Sequence, residues 1–148
     1  MAYWLIKSEP HTWSWKDQVE KGITFWDGVR NYQASNNLKA MQKGDLALFY
    51  HSGEERQIMG LVEVIKTYYP DPSDPSGRFG MVDVKTVRPF SELISLKQIK
   101  EDPRLQHLPL IRQSRLSVMP IDETAWKILI EMGTEANFLK KKKERASN

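Results

Sequence analysis

Apolar residues in this chain form short runs separated by polar turns that contain proline or glycine, a pattern typical of short strands and helices. Continuous or alternating apolar runs predict strands at residues 3–7, 46–50, 58–65 and 79–87, and a further strand ended by Pro120. Three prolines in residues 68–77 predict an exposed loop, and we expect Pro89 to end the strand that follows it.

Helical spacing of apolar residues, together with capping residues, predicts four helices. They cover residues 15–21, 32–41, 95–100 and 123–132, with one more helical turn between 105 and 110. Expected N-caps are Thr12 or Ser14, then Asn31, Ser95 and Asp122. Because strands and helices do not alternate regularly, the pattern favours an α+β domain, with a small curved sheet or barrel decorated by short helices.

The composition narrows the class of protein. The 148 residues suit one domain with a single core, and there is no cysteine for a disulfide or a thiolate metal site. With only three histidines, a metal centre is also unfavourable, so we expect no metal or cofactor. No apolar run resembles a signal peptide or approaches the ~20 residues of a membrane span. We therefore expect a cytoplasmic monomer with no membrane contact.

The positive charge is concentrated near the C-terminus. Residues 140–145 carry five positive charges and one negative, so removing this net +4 from the total of +3 leaves about −1. We therefore expect a single domain at residues 1–139 and a basic, disordered tail at 140–148. An anionic partner would have to be held by locally placed Arg and Lys side chains.

The most unusual segment covers residues 25–34, FWDGVRNYQA, which is too polar for a core and too aromatic for an ordinary loop. Gly28 can adopt a positive φ and turn the chain, so Trp26 and Tyr32 can face one space. The helix expected after Asn31 would direct free N–H groups to the same place. The segment predicts a pocket for a flat, polar-edged ligand; alternatively, its first two aromatic residues simply end a strand in the core.

Three further polar segments follow expected strand ends or precede a strand, at residues 7–10, 50–52 and 112–117. Together with residues 26–33 they would provide an aromatic platform, hydroxyl and amide groups, and two or three guanidinium groups. This combination suits an unstacked nucleobase, because the aromatic face stacks, the polar groups contact the base edge and the cations contact phosphate.

An enzyme is the main alternative from the residues themselves. A serine nucleophile with His51 as base, or an acid–base pair of His51 and Glu9, is conceivable chemistry. No serine lies in a Gly-x-Ser-x-Gly motif, however, and the chain has neither a phosphate-binding glycine loop nor a dinucleotide fingerprint. A single histidine at a hairpin is more often structural. We expect no catalytic residues.

Four motifs give the chain a family resemblance: YWLIKSEP at 3–10, WDGVRNYQA at 26–34, FYHS at 49–52 and RQSRLSV at 112–118. Over about residues 3–133 it resembles the EVE domain family, which includes thymocyte nuclear protein. The resemblance implies a PUA-like fold, a small mixed β-barrel flanked by short helices and related to YTH and ASCH domains. It also implies a non-enzymatic reader of a modified base, with modified cytosine in DNA favoured.

The likeness to YTH domains, which hold methylated adenine in an aromatic cage, implies that Trp26 stacks on a flipped base. The implied base-binding residues are Trp26, Ser8, Gly28, Val29, Asn31, Tyr32, Tyr50 and Ser52. The implied phosphate or edge contacts are Lys7, Arg30, Gln113, Ser114, Arg115 and Ser117. Ser35 stands where an arginine is expected. Two alternatives stay open: an enzyme acting on modified nucleotides, and a PUA-like RNA-binding protein without modification specificity.

Overall fold

The structure is a computed structural model that describes residues 1–134. The expected basic tail at 140–148 and the end of the expected domain at 139 lie outside these residues. Within residues 1–134, no helix is long and apolar enough to cross a membrane.

The described part of the chain has six strands, which form one mixed sheet in the order β2-β5-β4-β3-β1-β6. They are β1 (Tyr3–Ser8), β2 (Ile23–Trp26), β3 (Leu46–His51), β4 (Gln57–Pro70), β5 (Gly80–Ser95) and β6 (Val118–Ile121). The pair β1–β3 is parallel and the other pairs are antiparallel. The helices are α1 (Trp15–Lys21), α2 (Tyr32–Ala40), α3 (Leu96–Glu101), α4 (Pro109–Arg112) and α5 (Glu123–Gly133), with a 3₁₀ turn at Pro103–Leu105.

The starts of α1, α2, α3 and α5 agree with the sequence analysis because each is fixed by a local hydrogen bond to a capping side chain. Ser14, and not Thr12, caps α1: its hydroxyl accepts from the Asp17 N–H, and the Asp17 carboxylate accepts from the Ser14 N–H. Asn31, Ser95 and Asp122 likewise accept a backbone N–H three residues ahead.

The sheet curls around α2. This helix contacts β4, β5 and β6, although β5 and β6 would lie about 19 Å apart on a flat sheet, four strand spacings of ~4.8 Å. A nine-residue helix is only about 14 Å long, so the sheet must bend to bring both strands to it. The α+β, PUA-like barrel architecture expected from the sequence is confirmed.

One sequence expectation about the β4–β5 hairpin is wrong, and a second is wrong only at its edge, since residues 71–79 between the two strands do form a loop. Pro89 does not end β5; it pairs with Gly60 beside irregularities in the register, where a missing backbone N–H is tolerated. Residues 68–70 belong to β4 and not to an exposed loop, and the next residue, Asp71, is buried at 2% exposure. Pairing with a distant strand outweighs the local effect of the prolines here.

The core contains a cluster of aromatic rings around Phe49. The fully buried Phe49 ring contacts Trp15 and Trp26 edge-on, with centroid distances of 5.2 and 5.5 Å. Gly60 allows a close approach: a Cβ there would lie 2.4 Å from the Trp15 ring and 2.7 Å from the Arg88 carbonyl oxygen. Trp15 can pack over β4 only because position 60 has no side chain.

We predict that Gly60→Ala lowers the free energy of unfolding by about 2–3 kcal/mol, because both a packed ring and a backbone carbonyl would have to move. Urea unfolding measures the change. Gly44→Ala is the matched control, since Gly44 has a φ of +96° but open space around it, and backbone strain alone costs about 1 kcal/mol. Equal losses in the two variants would contradict the steric explanation.

Candidate functional site

A cavity of about 520 Å³ opens where the ends of β1 and β2 meet the loop before α2. Its walls come from three parts of the chain: residues 7–13, residues 21–31 and Ser117 just before β6. Eight of the residues predicted for the site line it: Lys7, Ser8, Trp26, Gly28, Val29, Arg30, Asn31 and Ser117. The fold thus brings together the two most distinctive polar motifs of the sequence.

Three predicted base-binding residues do not line this cavity. Tyr32 is 62% exposed and its ring packs on Phe79, with a centroid distance of 5.0 Å. Tyr50 is buried beneath Lys7, whose ammonium lies 5.9 Å from the ring centroid, and burial raises the pKa of Tyr50 to about 12. Ser52 lies past the end of β3, where its N–H donates to the Ser8 carbonyl.

Three predicted phosphate contacts line a neighbouring cleft of about 340 Å³. Gln113, Ser114 and Arg115 lie there opposite the start of α2, and Asn31 borders both the cleft and the cavity. Lys7 connects this segment to β1, because its ammonium donates to the Ser114 carbonyl at 2.9 Å. Burial lowers the pKa of Lys7.

The loop before α2 is held by the buried carboxylate of Asp71. Its Oδ2 accepts from the Gly28 N–H at 2.8 Å and from the Arg30 guanidinium at 3.1 Å. Its Oδ1 accepts from the Ser73 N–H and hydroxyl at 2.7 and 2.6 Å. Burial alone would raise the pKa of Asp71, but hydrogen bonds from Ser73, Gly28 and Arg30 outweigh burial and lower it to about 2.

Arg30 is oriented by the same hairpin. Besides Asp71, its guanidinium donates to the Ser73 hydroxyl at 2.8 Å and lies 5.8 Å from the Phe79 ring centroid. The side chain is still 41% exposed. Its cation is therefore fixed in place yet remains accessible to an anion at the edge of the cavity.

Two indole rings line the cavity. Trp26 is 7% exposed, and Trp13, which the sequence analysis did not assign to the site, is half-buried. Trp13 is held by its own Nε1–H, which donates to the Gln18 amide oxygen, and by the Ser8 hydroxyl, which donates to its carbonyl at 2.5 Å. In the sequence, the position of Trp13 shortly after the polar segment at residues 7–10 is the one feature that indicates a place in the cavity.

Two polar groups in the cavity have their remaining hydrogen-bonding capacity fixed by the fold. The Ser8 hydroxyl proton is used on Trp13, so toward a ligand this oxygen only accepts. The Asn31 amide oxygen accepts the Ala34 N–H at 2.9 Å as the helix cap, so its NH₂ group remains to donate. The fold therefore leaves Ser8 as an acceptor and Asn31 as a donor toward the cavity.

His51 has a structural environment. Its Nε2 accepts the Trp15 N–H at 2.8 Å, which places the ring proton on Nδ1, 2.6 Å from the Glu55 carboxylate. Both ring nitrogens are therefore engaged away from the cavity, and the acid–base partner considered for it, Glu9, is not its partner. Ser35, at the position where an arginine was expected, is buried, with its hydroxyl 3.4 Å from that of Tyr68.

Comparison with known proteins assigns the family. The sequence model described as the EVE domain matches residues 2–132. The chain belongs to the EVE domain family. Protein Rpa0253 of Rhodopseudomonas palustris, solved by NMR, is 46% identical with a TM-score of 0.85, over 90% of this chain and 93% of that one.

Two other solved structures are similar to this EVE domain. Human THYN1 was crystallised in complex with DNA containing 5-methylcytosine; it is 32% identical with a TM-score of 0.85, over 89% of this chain and 97% of that one. A YTH domain of Zygosaccharomyces rouxii MRB1 is 16% identical, with a TM-score of 0.57 over 90% of this chain and 86% of that one. The YTH likeness shows a shared fold.

We predict that Asp71→Asn lowers the free energy of unfolding by about 2 kcal/mol at pH 7, the equivalent of the shift in its pKa from 3.8 to about 2. Because the folded pKa is the lower one, this contribution is complete above about pH 5 and is lost as the pH falls through 3.8 toward 2. Urea unfolding between pH 7 and pH 2 measures it.

Asp27→Asn is the control for this series, because Asp27 is an exposed carboxylate in the loop that Asp71 holds. The difference in free energy of unfolding between the native protein and Asp71→Asn should disappear toward pH 2. Asp27→Asn should have the same free energy of unfolding as the native protein across the series. If the difference in free energy of unfolding between the native protein and Asp71→Asn did not change with pH, the charge of the Asp71 carboxylate would not be the cause of the stabilisation.

Proposed function

We propose that this EVE domain is a non-enzymatic reader of a modified base in nucleic acid, with modified cytosine in DNA as its ligand, flipped into the cavity between β1, β2 and the loop before α2. The observation that supports this most is the cavity itself, which combines two indole rings with a donor, an acceptor and cations at its edge. The human relative crystallised with 5-methylcytosine DNA supports the ligand class.

The polar groups suit the edge of such a base. Cytosine has an exocyclic amino group that donates and ring N3 and carbonyl O2 atoms that accept. Ser8 supplies an acceptor and Asn31 a donor, so the edge of a cytosine carries a suitable partner for each of these groups. Trp26 and Trp13 supply the flat apolar surfaces on which a base face is stable.

The depth of the site supports flipping. Trp26 and Ser8 are more than nine-tenths buried, so a base that stays stacked in a duplex cannot contact them. Extruding a base costs a few kcal/mol and each aromatic stacking contact returns ~1–3 kcal/mol. Affinity should therefore be modest, and higher for single strands and mismatched bases than for intact duplexes.

We predict that Trp26→Leu removes the preference for a modified base, because leucine fills the space but has no flat face. Binding is measured by fluorescence anisotropy with labelled oligonucleotides that differ only in cytosine, 5-methylcytosine or 5-hydroxymethylcytosine, as single strands and duplexes. The affinity of Trp26→Leu for the modified oligonucleotide should be about 5- to 150-fold lower than that of the native protein, the equivalent of one stacking contact of 1–3 kcal/mol.

Trp126→Leu is the matched control for Trp26→Leu. Trp126 is equally buried, at 6% exposure, but stacks on Tyr3 from helix α5. Both variants should lose stability, and only Trp26→Leu should lose binding. Equal affinity of the native protein for modified and unmodified DNA and RNA would contradict the proposal and favour a PUA-like RNA-binding role. Conversion of the modified oligonucleotide would favour an enzyme.

We predict that Asn31→Ser weakens binding of the preferred oligonucleotide about 3- to 10-fold while stability changes little. Serine is as good an N-cap as asparagine but lacks the NH₂ donor, and one neutral hydrogen bond is worth about 0.5–1.5 kcal/mol. Asn36→Ser, an exposed substitution on the same helix, is the control. Unchanged affinity in Asn31→Ser would exclude the amide as a contact to the base.

A further inference from the structure

Strand β2 contributes both of its faces to the same cavity. Thr24 and Trp26 point inward and are buried, whereas Ile23 and Phe25 point outward and are about half exposed. Thr24, Phe25 and Trp26 nevertheless all line the cavity. Among residues 1–134, β2 is an edge strand that pairs only with β5, so in this part of the chain the cavity opens over the free edge of β2 onto the outer face of the sheet.

Phe25 is an unusual side chain for this position. It is 54% exposed, and within residues 1–134 its ring has no stacking or cation–π partner, whereas Trp26 packs on Phe49 and Tyr32 on Phe79. A phenyl ring has no polar atom to interact with water, so covering it is favourable. A base is a flat partner that fits this ring, and the cavity beside it is the site proposed for one.

We propose that Phe25 stacks on the nucleobase adjacent to the flipped base, so that the protein holds two successive bases on opposite faces of one strand. The proposal rests on the proposed function. Flipping removes a stacking partner from the neighbouring base, and an exposed aromatic ring at the mouth of the cavity replaces that partner. Lys21 and Arg30, which also line the cavity, provide cations suited to the phosphates of these nucleotides.

Stacking on Phe25 should affect affinity and selectivity differently from contacts deep in the cavity. Phe25 is exposed at the mouth of the cavity, so its ring can stack on any base there, because every base has a π-face. Trp26 is buried, so a base that stacks on it must also fit its substituent into the cavity. Phe25 should therefore increase affinity for an oligonucleotide without changing the ratio of affinities for modified and unmodified cytosine. That ratio should depend on Trp26 and the groups deep in the cavity.

The test is a double-mutant cycle between protein and ligand. Phe25→Ala and the native protein are titrated with a short single-stranded oligonucleotide that carries one 5-methylcytosine, and with versions abasic on its 5′ or its 3′ side. The monomer 5-methyl-2′-deoxycytidine 5′-monophosphate is titrated in parallel. Ile23→Ala is the matched control, because Ile23 lies on the same face of β2 at 49% exposure but does not line the cavity.

Phe25→Ala should weaken binding of the intact oligonucleotide about 5- to 30-fold, the equivalent of about 1–2 kcal/mol of stacking. It should have no effect on the monomer or on one of the two abasic versions, and Phe25→Tyr should restore affinity. Ile23→Ala should bind like the native protein.

Other outcomes overturn the proposal in distinguishable ways. Native-like binding by Phe25→Ala, with Trp26→Leu still defective, would exclude stacking on Phe25 and leave the proposed function intact. Equal weakening for the intact, abasic and monomeric ligands would show that Phe25 contacts the flipped base itself. No preference of the native protein for the modified oligonucleotide would refute the proposed function, and this proposal with it.

Discussion

The buried carboxylate of Asp71 is the group on which the geometry of the cavity depends. It joins the β4–β5 hairpin to the loop between β2 and α2 through hydrogen bonds from Gly28, Arg30 and Ser73. Burying a carboxylate is costly, and such a group is stable only when its oxygens are hydrogen-bonded, as they are here. The loop is thereby ordered before any ligand arrives, so a ligand does not have to bear the entropic cost of ordering it.

The parts of the fold that could be predicted from the sequence are those fixed by nearby residues. The caps at Ser14 and Asn31 each depend on a bond to an N–H three residues away, so the local sequence contains the whole cause. The long hairpin could not be read in the same way. Pro89 predicts the end of a strand and the prolines near Asp71 predict a loop from residue 68, but pairing between β4 and β5 continues past Pro89 and reaches Pro70. The Gly28 N–H that satisfies Asp71 comes from 43 residues earlier.

The same distinction separates the predicted site from the observed cavity. Ser8 and Trp26 lie at strand ends whose motifs are visible in the sequence, and the fold brings them together. Tyr50 also lies at a strand end, but its neighbour in the β1–β3 register is Lys7, which covers it, and a register cannot be read from one strand. Trp13 has no periodic pattern around it and reaches the cavity through its bond to the Ser8 hydroxyl.

The hydrogen bonds that stabilise the fold also decide what the cavity can bind. Ser8 donates to Trp13 and Asn31 accepts from Ala34, and these structural bonds leave one acceptor and one donor free. A ligand with the opposite pattern would leave both groups, and its own, without partners, at a cost of about 1–3 kcal/mol for each buried group. Recognition and stability therefore share the same atoms. A substitution at Ser8 or Asn31 that changes the pattern must therefore preserve the turn or cap contact if the protein is to keep its stability.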